Sequence, residues 1–299
     1  MATAIDMMTK KEVASDLLSL KGVSRGLRPA GINRSRIVLS GKPGTGKSTL
    51  IRSNPKAIIL DFEDSGRTVA SPESLRFGPD PESNFYPTAD EYRKFIDQLI
   101  ARRAAGKTDI DMVGVDSFDK MVECFSRDLC QKNKLESVGD YGGGHGKGYW
   151  IVRDEISTLL DQLYRAGYGW VLISHIVQKS IKDGENERLI SSLSVSDTFK
   201  SFLWQNCEHM FFMDRDVKVV ESAPEVRTVN GKQVTLPKKS ETVKVRCLKT
   251  SPGGLWSGGI TDDVKVRLPF DDNIQVPLKG GWQAVESAFD VALKRLIGS

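Results

Sequence analysis

Residues 40–49 read SGKPGTGKST, and they constrain the chain more tightly than any other stretch. Ile37, Val38 and Leu39 before them make a short apolar strand, and KSTLIRS at their end opens a helix. Gly41 to Ser48 fits the pattern GxxxxGK[ST] in the strand, turn and helix setting that gives the pattern its meaning. Glycines there let successive backbone N–H groups curl around phosphate oxygens, and the helix N-terminus adds partial positive charge. A turn that only reversed the chain would need no lysine and hydroxyl at its end. Gly41, Lys42, Pro43, Gly44, Thr45, Gly46, Lys47, Ser48 and Thr49 are therefore the expected phosphate cradle. Lys47 would reach the β- and γ-phosphates, and Ser48 would offer its hydroxyl to Mg2+, a hard cation that prefers oxygen.

Alternating apolar runs and amphipathic segments set the fold class. KAIILDFED and DIDMVGVDS are apolar runs that stop at acids, and WVLISH and HMFFMD read as further buried strands. TADEYRKFIDQLIARRAAGK has helical apolar spacing at Tyr92, Phe95, Ile96, Leu99 and Ile100; FDKMVECFSRDLCQK, YWIVRDEISTLLDQLYRAGYG and SDTFKSFLWQN read as helices too. Such alternation argues for a mainly parallel sheet covered on both faces by helices. DYGGGHGKGY is too glycine-rich for a regular element, and IVQKSIKDGENERLISSLSV reads as a long polar loop. Beyond residue 216 the pattern changes. VRTVNGKQVTL carries Asn230-Gly231 between alternating β-formers, TVKVRCLKT and DDVKVRLPF alternate as well, and GWQAVESAFDVALKRLIG closes the chain as a helix. The expectation is an α/β chain in three parts: a segment at 1–35 for oligomerisation or DNA contact, a nucleotide-binding core at 36–216, and a C-terminal antiparallel β extension with its helix at 217–299.

Composition excludes more than it assigns. Hydrophobic residues at 39% and charged residues at 27% are ordinary for a globular protein. No apolar run approaches the roughly 20 residues needed to cross a bilayer. MATAIDMMTKKEVASD turns charged before a signal-like segment develops, so a cytoplasmic location without membrane contact is expected. Cys124, Cys130, Cys207 and Cys247 form no CxxC pair and read as buried free thiols. A net charge of +4 does not diagnose nucleic-acid binding without clustering. Two clusters exist: Lys21, Arg25, Arg28, Arg34 and Arg36 with no acid among them, and Lys232, Lys238, Lys239, Lys244, Arg246 and Lys249 against Glu241 alone. Either is a solvated face or a surface for the phosphates of single-stranded DNA.

A nucleoside triphosphate site needs a second magnesium-directed group at a neighbouring strand end. Asp116, closing the run MVGVD, supplies it, although an aspartate there also serves to cap the next helix. ILDFEDSG puts Asp61, Glu63 and Asp64 at the mouth of another strand. Glu63 is the candidate to orient or deprotonate an attacking water, against the plainer reading of a solvated acidic loop. His175, closing LISH, is a candidate γ-phosphate sensor or a satisfied strand-end histidine. Tyr141, Tyr149 and Trp150 have the chemistry to stack on bases, though aromatics opening a helix are ordinarily core.

Taken together, GKPGTGKST, ILDFED, VGVDS, DYGGGHGKGY and VLISH resemble the RecA-like branch of P-loop ATPases, in particular the phage nucleotide-binding ATPases that act as single-strand annealing or recombination proteins. The resemblance covers about Arg36 to Asp214. It implies ATP and Mg2+ as ligands, DNA-stimulated ATP hydrolysis, and host cytoplasm as the compartment. It implies single-stranded DNA along SVGDYGGGHGKGY and IVQKSIKDGENERLISS, and a ring or filament of identical subunits with ATP between neighbours. A single-strand binding protein is a further implied partner. RecA-type motors present a lysine and an arginine, two residues apart on a late strand, to the neighbour's γ-phosphate. CLKTSPGG offers Lys249 with Ser251 where the arginine would fall, which leaves Arg246 and Lys244 as substitutes. Two other readings stay open: a P-loop small-molecule kinase, which needs an arginine-bearing lid and an acceptor pocket, and a DNA-binding module whose assembly nucleotide merely switches.

Overall fold

The computed structural model describes residues 31–64, 74–144, 146–183, 186–221, 226–229, 232–235, 240–250, 255–256, 259–260, 264–277 and 279–297. Lys21, Arg25, Arg28, Asn230, Gly231, Lys238 and Lys239 lie outside these residues, as do the side chains of Lys232 and Lys244.

Apolar strands that need cover on both faces assemble an eight-stranded sheet in the order β14-β11-β8-β1-β5-β4-β2-β3. Its parallel part holds β1 (Arg36–Gly41), β2 (Ala57–Asp61), β3 (Leu75–Phe77), β4 (Met112–Asp116), β5 (Gly169–Ser174) and β8 (His209–Glu221). β11 (Ser240–Lys249) runs antiparallel to both β8 and β14 (Asn273–Val276). The expected α/β class, mainly parallel with a C-terminal antiparallel pair, is the one observed. The stretch 217–299 supplies β11 and β14 to this same sheet, and Gly31–Ser299 forms one compact unit.

Period-2 alternation sends Val38, Val113, Val115 and Leu172 into one core and Ile37, Leu39, Met112, Val171 and Ile173 into the other. The second core is closed by α1 (Lys47–Arg52) and α6 (Gly281–Ile297) through Leu50, Ile51, Trp282 and Phe289. α2 (Ala89–Ala104), α3 (Phe118–Asn133), α4 (Lys147–Arg165) and α5 (Asp197–Asn206) close the first through Tyr92, Phe125, Ile156 and Phe199. α2 starts where the sequence places a T-x-x-E box: Thr88 Oγ1 accepts from Glu91 N at 3.3 Å, and Glu91 Oε2 accepts from Thr88 N at 2.6 Å. Gly114 in β4 leaves room for α1, since a methyl group there would meet Ile51 Cγ2 at 2.9 Å and Ile59 Cδ1 at 2.7 Å. α6 is fastened to the far end of α1. Trp282 N donates to Ser53 Oγ at 2.9 Å, and Trp282 Nε1 donates to Asn33 Oδ1 at 2.6 Å. Asn33 Nδ2 donates in turn to Glu286 Oε1 at 2.6 Å.

Three expectations change. The stretch expected as a polar loop after His175 is an antiparallel hairpin of β6 (Ile176–Asp183) and β7 (Asn186–Leu193). It is extended by β12 (Leu255–Trp256) and β13 (Gly259–Ile260) into a second sheet. Ile, Val and Leu fall among the hairpin's charged residues without strict alternation, so period-2 patterning does not mark the two strands. Among its described residues DDVKVRLPF gives a single bridge, Met210 to Lys265, although Val264 and Leu268 are buried. The four cysteines are free thiols, but only Cys207 and Cys247 are buried, and Cys124 and Cys130 are half-buried. The Asn-Gly signal holds in its flanks, with β9 (Val226–Val229) paired antiparallel to β10 (Lys232–Thr235). The glycine-rich stretch takes a 3-10 path at Val138–Gly143, kinked at Tyr141 and Gly142. Among the described residues no helix is long and apolar enough to cross a membrane.

Candidate active site

β1 ends between β5 and β8, with Ser40 in register with Ser174 on one side and Phe212 on the other. The loop leaving it turns into α1 at Gly46, whose φ of 101° is left-handed. Thr45 Oγ1 ties the turn together by donating to Lys42 O at 2.9 Å. Lys47 is 5% exposed, and its ammonium donates to Gly41 O at 2.8 Å and Lys42 O at 2.9 Å. Burial lowers its pKa to about 8, against the opposing pull of Asp116, Glu63 and Asp119.

A cavity of about 320 Å³ opens over this loop. Pro43, Gly44, Gly46, Lys47, Ser48 and Thr49 line it from the loop, and Glu63, Asp116 and His175 line it from strand ends. The sequence-predicted cradle, both magnesium-directed groups, the candidate base and the candidate sensor thus converge. Among the described residues no cluster of three His, Cys, Asp or Glu is placed to hold a metal. One hydroxyl, Ser48, and one carboxylate, Asp116, suit a cation that keeps water and phosphate oxygens as its other ligands, as Mg2+ does.

The structure also separates the three acids of ILDFEDSG. β2 and β4 end level, with Asp61 in register with Asp116. Asp61 is fully buried and pairs with Arg76 at 2.8 Å and Arg52 at 3.6 Å, and Asp64 pairs with Arg76 at 3.1 Å. Glu63 is left to face the cavity, its backbone N–H donating to Asp61 Oδ1 at 3.0 Å.

Glu63 belongs to a polar chain. Ser117 Oγ donates to Glu63 Oε1, and His175 Nδ1 lies 3.5 Å from that same oxygen and 3.6 Å from Asp119 Oδ2. Asp119, in the first turn of α3, accepts from His175 N at 3.0 Å, from Ser174 Oγ at 3.4 Å and from Ser194 Oγ. The Asp119 carboxylate raises the His175 pKa against burial, with Glu63 adding to the rise. Burial pushes Asp119 up, but its hydrogen bonds from His175 and Ser194 outweigh that and hold it low. Ser117 and Asp119 escaped the sequence reading, although VGVDSFD sets them one and three places after Asp116, where a helix N-terminus favours an acid. Ser194 carries no local signal, because it reaches Asp119 only through the β6–β7 hairpin.

Two of the basic residues implied for a neighbouring subunit, Lys249 and Arg246, make contacts within their own chain. Lys249 is 3% exposed at its side chain, with Nζ 3.3 Å from Asp216 Oδ2. Arg246 lies against the chain's own loop: a methyl group on Gly46 would meet Arg246 Nη1 at 2.5 Å. β11 stands only two strands from β1, so its side chains fall within reach of the loop that β1 feeds. Arg215, which the sequence reading passed over, donates from Nη2 to Gly44 O. Tyr149 and Trp150 are exposed rather than core, at 39% and 51%, and the Arg153 guanidinium covers the Trp150 ring at 4.1 Å.

A family model described as an AAA domain matches residues 33–259. No curated protein matches the chain.

Proposed function

The chain belongs to this AAA-domain family of P-loop ATPases, and on that premise we propose that it hydrolyses ATP with Mg2+ as an oligomeric, RecA-like protein that binds single-stranded DNA and promotes annealing. The observation that carries the ATPase reading is the convergence of Lys47, Ser48, Asp116 and Glu63 on one cavity. Lys47 would exchange the carbonyls of Gly41 and Lys42 for β- and γ-phosphate oxygens. Ser48 and Asp116 would hold Mg2+, which supplies neutralisation of the phosphate charge. Glu63, with Oε1 occupied by the Ser117 hydroxyl, would keep Oε2 for a water in line with the γ-phosphate and accept its proton. The β–γ phosphoanhydride bond breaks, giving ADP and inorganic phosphate.

Support for the DNA part comes from how the β6–β7 hairpin is rooted. Its two ends meet at the site, with Ser194 N donating to His175 O at 2.9 Å and Ser194 Oγ bound to Asp119. A second cavity of about 440 Å³ shares His175 with the first and is lined by Tyr149, Lys120 and Ser196. A change at the γ-phosphate felt by Glu63 and His175 would thus be passed to the hairpin and to an exposed aromatic. The resemblance to phage annealing ATPases supports the same partner and an ATP site completed by a neighbouring subunit. The test is ADP formation with and without single-stranded DNA, together with a mobility shift at low salt. Stimulation and a shift are expected. ATP turnover with neither effect removes the DNA part, and no calorimetric heat with millimolar ATP and Mg2+ removes the whole reading.

A further inference from the structure

We propose that Arg215 and Arg246 form an anion clamp, built from the chain's own strands, that grips the α- and β-phosphates of the nucleotide. The inference rests on the nucleotide reading of the loop and adds to it the residues that hold the other end of the ligand.

Arg215 on β8 and Arg246 on β11 are direct antiparallel partners. Cross-strand neighbours share a face of the sheet, and like charges placed opposite one another destabilise a strand pair. Both guanidiniums nevertheless converge on the loop. Arg215 Nη2 donates to Gly44 O, and Arg246 Nη1 packs against Gly46. Arg246 Nη2 donates to Pro277 O, while its Nε is buried without a hydrogen-bond partner. Among the described residues neither guanidinium pairs with a carboxylate; their acceptors are backbone carbonyls. Burial and the neighbouring Arg215 charge both lower the Arg246 pKa, the sign of a cation held where its charge is poorly compensated. An anion between the two forks removes the repulsion and takes up donors that carbonyls leave unused.

Sheet order tells which part of a nucleotide would lie there. Glu63, Asp116 and His175 stand at the ends of β2, β4 and β5, all on one side of β1, and β8 and β11 stand on the other. A triphosphate whose γ-phosphate faces the acids and their magnesium runs its α-phosphate and nucleoside toward β8 and β11. The clamp therefore meets charge that ATP and ADP share. It supplies that charge's neutralisation from within one protomer.

Calorimetric titrations of the full-length protein with ATP and with ADP, each with Mg2+ and at two salt concentrations, test this in wild type, Arg215→Gln, Arg246→Gln and the double variant. The expected result is about tenfold weaker binding for either single variant and at least that for the double. The loss should be equal for ATP and ADP, and the salt dependence shallower. Loss confined to ATP would reassign the pair to the γ-phosphate and overturn the clamp, as would unchanged affinity for both ligands. Should a Gln variant lose its folded circular dichroism spectrum, Arg215→Lys and Arg246→Lys keep the charge without the fork. Weakening shared by ATP and ADP in these supports the clamp, and wild-type affinity for both overturns it. A wild-type protein that binds neither nucleotide defeats the nucleotide reading itself, a result distinct from variants that match a binding wild type.

Discussion

On one side of β1 the strand ends and the first turn of α3 carry acids that are already spoken for: Asp61 by two arginines, Asp119 by two hydroxyls and a backbone amide, Glu63 by Ser117. On the other side β8 and β11 present Arg215 and Arg246, cations whose partners are carbonyls alone among the described residues. The same loop thus stands between a flank whose geometry is set by internal hydrogen bonds and a flank whose charge balance needs something more. A preorganised polar flank costs no rearrangement when charge develops, so it suits chemistry. An uncompensated cationic flank suits capture.

The comparison breaks most visibly through the acid flank. Glu63→Gln should lower phosphate release by about 10²–10⁴-fold while calorimetry still registers ATP. Retained single-strand annealing in that variant, with annealing lost in Lys47→Ala, would instead make nucleotide a switch of assembly. Gly46→Ala acts where the two flanks meet. It forces a methyl group into a left-handed turn and onto Arg246 Nη1, so urea titration should show a loss of about 1–2 kcal/mol, with weaker binding of ATP and ADP alike.

Lys47, between the flanks, sharpens the contrast through pH. With a pKa near 8 in the free protein, its ammonium loses the proton above that pH, and phosphate oxygens favour the charged form. Nucleotide binding at pH 9 should therefore take up close to one proton, visible as an enthalpy that varies with buffer, and much less at pH 7. Affinity should fall as pH rises past about 8. The smallest effect concerns Asp119→Asn. Asp119 is the chief cause of the raised His175 pKa, so the imidazole midpoint read by NMR should move to lower pH. An unmoved midpoint would mean that the acid flank is not held by that contact.

Local features were legible in the sequence, and features set by sheet order were not. The glycine loop, Asp116 and the long helices follow from motif and period, because the residues that define them are neighbours in the chain. Choosing Glu63 from three acids by sequence had no physical basis beyond position. The structure supplies the discriminator in Arg76, which occupies Asp61 and Asp64 from β3. Arg215 stayed invisible because its importance depends on β8 lying beside β1. Arg246 was visible as a cation, but its direction was not, since antiparallel pairing of β11 with β8 turns it toward its own loop.

The bond from Trp282 to Ser53 joins residues 229 positions apart, and it braces the helix that carries Lys47. During translation at about 5–20 residues per second, that brace lags behind the glycine loop by roughly 10–50 s. The nascent chain therefore carries its glycine loop for that interval before the residue that braces the helix behind it has been made.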